Sequence, residues 1–178
     1  MCLECRWDQE ELKRRVVAAN SSFYLVAAKT PGATYKVLWY RNYNFRRCKV
    51  DLLLPGIMNI PSVPIAAIDH SEPGKPCAPF ALVFLLKLQA WQQHRDSGEV
   101  RFRIKSSTDA RDLKRMLPIA HAKGFSIRRR EAYLPPLFVA SATPRVERFV
   151  RESPETLHWW KAFGFTVVRT SIENFLWD

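Results

Sequence analysis

The amino-acid sequence predicts an α+β fold, a three-stranded antiparallel meander followed by helices. Three short segments rich in β-branched and aromatic residues lie between residues 23 and 54, each bounded by turn signals. The second half carries apolar residues at helical spacing, punctuated by prolines. Strands therefore come first and helices after, an order that argues against alternating β-α-β units.

Residues 8–19 read as a short amphipathic helix, with Leu12, Val16 and Ala19 at helical spacing and acids in the first turn, where the helix dipole favours them. Three strands are expected at Phe23–Ala28, Tyr35–Tyr40 and Arg47–Leu54. Their links, Thr30-Pro31-Gly32 and Asn42-Tyr43-Asn44, are too short for the crossover that parallel neighbours need. The proline-spaced stretch from Pro55 to Pro64 reads as extended chain. A long helix follows over Pro79–Arg95, opened by proline. A second is expected over Thr108–Leu117, capped by Ser107 or Thr108 and broken or kinked by Pro118 before Gly124. Leu137–Arg151 and Glu155–Phe163 complete the set, and Gly164-Phe165 begins a short apolar tail.

At 178 residues and 47% hydrophobic, the chain fits one domain over 1–178 with a sizeable core. Lysine and arginine total 28 against 17 aspartates and glutamates, a net charge of +11 with neutral histidines. That excess is spread through Lys13-Arg14-Arg15, Arg46-Arg47, Arg101-x-Arg103-x-Lys105 and Arg128-Arg129-Arg130, and it makes a nucleotide or nucleic acid a natural partner. Solvated surface is the competing reading. Glu4, Arg6 and Asp8 precede any apolar run, so no secretory signal is visible and a cytoplasmic location is expected. Phe80–Leu86, the longest apolar stretch, falls far short of the ~20 residues that span a bilayer, so no membrane is implied. Cys2, Cys5, Cys48 and Cys77 hold one Cys-x-x-Cys pair without a second pair or a His-x3-5-His to complete a zinc site, and free thiols are expected.

The chemistry-bearing candidates are few. Strand alternation sets Val50, Leu52 and Leu54 on one face and Lys49, Asp51 and Leu53 on the other, leaving Asp51 in apolar sequence. A carboxylate there needs a cation, a metal or hydrogen-bond donors; a salt bridge to Lys49 or a nearby arginine stands beside a catalytic role. In the long helix, Val83, Lys87, Ala90 and His94 share one face, and the small alanine leaves room beside both polar heads. Val83 reads as core, and Lys87 either borders a polar hollow or snorkels to solvent. Asp109 and Asp112, at i, i+3 near a helix start, can act on one partner or simply complement the dipole. Trp159-Trp160, Trp39, Tyr40 and Tyr43 stack on bases or fill the core. The chain has no phosphate-binding Gly-rich loop, nucleophile elbow, His-Glu-x-x-His helix or dinucleotide fingerprint.

These pieces together resemble a group of fungal, basidiomycete-type nucleotidyltransferase-like proteins. The resemblance runs through Phe23-Tyr24-Leu25-Val26, Tyr35–Tyr40, Arg46–Gly56, Leu85-Leu86-Lys87-Leu88-Gln89-Ala90-Trp91-x-x-His94-Arg95 and Lys105-x-x-Thr108-Asp109-x-x-Asp112-Leu113. More distantly, the order of strand aspartate, helix lysine and Asp-x-x-Asp helix is similar to the nucleotidyltransferase toxins of abortive-infection systems. The resemblance implies a nucleotidyltransferase-like fold and metal-dependent nucleotide transfer with Mg²⁺ or Mn²⁺, Asp51 and Lys87 being catalytic and Asp51 the third acid of the metal site. Lys49, Lys87, His94, Arg95, Lys105, Asp109 and Asp112 would surround the phosphates. The family's Gly-Gly or Gly-Ser turn and its Asp-x-Asp strand are expected before the first helix, where this chain begins at Met1-Cys2-Leu3-Glu4, so the implied metal site is incomplete. A non-enzymatic nucleic-acid-binding domain and a small basic metal-dependent nuclease are the alternatives, and a homo-oligomer is compatible with each.

Overall fold

A computed structural model describes residues 8–57, 59–71, 73–129 and 133–167. Its contacts divide the chain into two compact units, Met1–Ser62 and Val63–Asp178. The architecture is α+β, as the order of segments predicts.

In the first unit, α1 spans Gln9–Ala19. Its N-cap Asp8 accepts the Glu11 backbone N–H at 2.7 Å, satisfying one of the donors a helix start leaves open. The expected apolar stripe is only half realised. Leu12 and Val16 are partly buried, Ala19 is exposed, and the buried position is Lys13. Its ammonium is held by Glu10 at 2.5 Å and by the Lys36 carbonyl at 2.6 Å, so the charge is neutralised where it leaves water.

The sheet has the order β1-β2-β3, antiparallel throughout: β1 is Phe23–Ala27, β2 Lys36–Arg41 and β3 Arg47–Val50. Leu25 faces Leu38, and Leu38 faces Val50, which buries Leu38 completely. The Asn42 side chain closes the β2–β3 link by accepting the Asn44 and Arg46 N–H groups, both at 3.0 Å.

The third strand stops at Val50, not at Leu54, and the reason lies in α1. Lys13 takes the Lys36 carbonyl and Gln9 donates to the Leu52 carbonyl at 2.7 Å, so helix side chains supply the partners that a longer ladder would have used.

The second unit is helical. It holds α2 (Phe80–Asp96), α3 (Val100–Ala122), α4 (Pro136–Ala140), α5 (Ala142–Glu152) and α6 (Leu157–Ala162). Its core is aromatic. Phe84 stacks on Trp160 with centroids 5.3 Å apart and meets Phe125 edge-on at 5.4 Å, while Trp91 meets Phe149 edge-on at 4.9 Å. Trp160 is therefore core and not a stacking platform, whereas Tyr43 of the other unit is fully out in solvent.

Helices α3 and α6 end alike. Gly124 and Gly164 adopt positive φ (67° and 95°), and Phe125 and Phe165 donate back to the carbonyls of Ala120 and Trp160, a double hydrogen-bonded stop that folds a buried phenylalanine onto each helix end.

Three expectations need correction here. The helix expected from Thr108 begins at Val100, because Phe102 and Arg103 already donate to the Glu99 carbonyl, and it runs through Pro118 to Ala122. Proline forfeits one hydrogen bond, which twenty-three residues of packed helix absorb. The segment expected as one helix over Leu137–Arg151 divides at Ser141 into α4 and α5. Val83, read as core, is exposed.

Candidate functional site

Lys87, His94, Asp109 and Asp112 come together across the α2–α3 seam. Lys87 Nζ lies 2.7 Å from Asp109 Oδ1 and 2.8 Å from Asp112 Oδ2, and His94 Nδ1 lies 2.5 Å from Asp109 Oδ2. Helical geometry explains the meeting: on α2 the lysine and histidine are seven residues apart, two turns along one face, and on α3 the acids are separated by three. The His94 ring is also stacked on Phe102 at 5.3 Å, its plane tilted by only 4°.

The acids do not sit at a helix start, because α3 begins nine residues earlier than Asp109. Asp109 is 2% exposed, and each of its oxygens is occupied by a separate partner. Such a buried carboxylate is stable only when fully engaged. Burial would lower the Lys87 pKa, but the hydrogen bonds it donates to Asp109 and Asp112 outweigh it and hold the ammonium above its ordinary value. The hydrogen bond from Lys87 lowers the Asp112 pKa. When His94 is neutral and donates from Nδ1, its Nε2 is left as the acceptor.

Asp51 has a different setting. It lies just past β3, with its side chain 66% exposed, and its partner is Lys49 at 2.8 Å, itself 53% exposed. The ion pair weighed in the sequence is thus present, but the apolar surroundings are not, because the strand ends before they can form. Asp51 and Lys49 line a hollow of about 110 Å³ with Lys13 and Lys36. Among the described residues no three of His, Cys, Asp and Glu gather to hold a metal ion. Cys48 and Cys77 are exposed free thiols; Cys2 and Cys5 lie outside the described residues.

A second feature of the helical unit escaped the sequence. A hollow of about 560 Å³ is bounded by α2, α3 and α5 and lined by Arg95, Arg103, Arg111, Lys114, Ser106 and Ser107, among others. Arg103, Ser106, Ser107, Arg111 and Lys114 recur along one side of α3 at three- and four-residue spacing. That stripe was legible only to a reader who had placed residues 100–107 in the helix.

Glu152 also lines the hollow and pairs with Arg95 at 3.2 Å, while Lys114 reaches Glu155 at 2.7 Å. Arg103 donates to the Ser97 and Gly98 carbonyls, and Arg111 lies 3.5 Å from the Thr108 hydroxyl, so among the described residues neither meets a carboxylate. Of the residues the resemblance places around phosphates, only Arg95 lines this hollow; Lys105 is exposed on α3, and Lys87, His94, Asp109 and Asp112 do not line it.

No helix among the described residues is long and apolar enough to cross a membrane. No protein-family model, curated protein or solved structure matches this chain.

Proposed function

We propose that the chain binds the phosphates of a nucleotide or nucleic acid, and that the hollow walled by α2, α3 and α5 is where it does so. The observation that carries this reading is the convergence of Arg95, Arg103, Arg111 and Lys114 on one concave surface with three serines, against the single carboxylate of Glu152 among the described lining residues. Guanidinium groups present paired donors that match phosphate oxygens, and the exposed Ser107 hydroxyl adds a neutral donor beside them. The network of Lys87, His94, Asp109 and Asp112 supports the reading indirectly, since it ties α2 to α3 and so holds Arg95 and the α3 stripe in register. Nucleotide transfer rests on the resemblance alone and metal-dependent hydrolysis on Asp51 with Lys49 or Lys87, and Mg²⁺ or Mn²⁺ enters only with them.

Fluorescence anisotropy with labelled single-stranded RNA tests the proposal. Binding should weaken as salt rises, and Arg103→Glu with Arg111→Glu should lower both the affinity and the salt slope, by about 0.7 per lost phosphate contact. Arg14→Glu with Arg15→Glu, on the exposed side of α1, should change affinity far less. No complex at low salt, or equal losses from both pairs, would sink the proposal. A labelled nucleoside triphosphate added with Mg²⁺ reports separately on transfer.

A further inference from the structure

The helical unit holds another cavity, of about 430 Å³, whose lining shares no residue with the basic hollow. Its walls are Leu85, Phe125, Ile127, Leu134, Pro136 and Val139, and among the described residues its only charge is Arg129, accompanied by the hydroxyls of Ser126 and Thr143. The hollow opens to solvent past the exposed Arg129, Pro136 and Ala140, and its size falls within the range of small-molecule sites, which combine apolar walls with a few convergent polar groups.

The wall carrying Arg129 is held in place. The Ile127 N–H donates to the Phe163 carbonyl at 2.9 Å, and Arg128 packs against Gly164, where a Cβ would meet its Cγ at 3.0 Å. Arg129 Nη1 lies 3.4 Å from where a Cβ on Gly124 would stand, so the guanidinium lies beside the end of α3. Among the described residues Arg129 has no ion-pair partner.

We propose that this cavity binds a small amphiphile, an apolar body seated between Phe125 and Val139 with a single carboxylate received by Arg129. The apolar walls select the body by the area they remove from water. One guanidinium fork, with no acid beside it among the described residues, selects one planar anionic head.

Calorimetric titration of the full chain with decanoate and, separately, with decanol below their aggregation limits tests the assignment. Decanoate should bind and raise the melting temperature. Arg129→Met should weaken decanoate by about tenfold or more, the worth of a hydrogen bond to a charged group, and leave decanol nearly unchanged. Val139→Trp should fill the cavity and abolish both; Ala140→Phe serves if that variant does not fold. Absence of decanoate binding, an unchanged affinity in Arg129→Met, or full binding to a folded cavity-filled variant would each overturn the proposal.

Discussion

Asp51 and Asp109 are both aspartates with a lysine partner at 2.7–2.8 Å, yet one pair stands in water and the other inside a helix seam. Asp51 and Lys49 are more than half exposed, so their attraction is screened and offset by the entropy of holding two side chains still. Asp109 has no such solvent alternative. With both oxygens engaged, removal of any partner leaves a buried charge or donor unsatisfied. Residue type and contact distance are nearly identical in the two places; burial decides which pair the structure depends on.

The largest break in that comparison is Asp109→Ala. It strands the His94 Nδ1 donor and half of the Lys87 contacts in the seam, and it should cost about 2–4 kcal/mol in urea unfolding, less than a fully buried pair because Lys87 keeps 27% of its side chain in water. Lys87→Met should cost less, about 1–2 kcal/mol, because Asp109 retains His94 and the apolar stem is preserved.

Titration sharpens the same contrast. The Asp112 pKa is lowered in the folded chain, so its contribution is present above the unfolded carboxylate value of about 4 and is lost as pH falls through the folded value. Lys87 is raised, so its contribution is complete below the unfolded lysine value of about 10.4 and is lost as pH climbs through the folded one. Chemical-denaturation stability of Asp112→Asn should accordingly fall less steeply than wild type on acidification. At the small end, Asp51→Ala and Lys49→Ala should each change stability by no more than about 0.5 kcal/mol. A loss at Asp51 as large as that at Asp109 would show that exposure is not what separates the two sites.

Much of the frame was open to reading in one dimension. The meander follows from Thr30-Pro31-Gly32 and Asn42-Tyr43-Asn44, because links that short permit only antiparallel neighbours. The shared face of Lys87 and His94 follows from helical spacing, as does the reach of Asp109 and Asp112 to one partner. The basic hollow stayed hidden because Arg101-x-Arg103-x-Lys105 alternates like an exposed strand or loop. Only when residues 100–107 become helix do Arg103, Arg111 and Lys114 fall into line.

Local chemistry therefore determined most of the elements, though not the end of β3 or the start of α3: period two for the strands, three to four for the helices, a capping aspartate at residue 8 and glycines where φ turns positive. Packing alone decided which charges would be buried. Lys13 and Asp109 are deep while Asp51, set among leucines in the chain, is out in solvent. Burial is a property of neighbours distant in sequence, and a charge is tolerated inside only where those neighbours bring its counter-charge and donors with them.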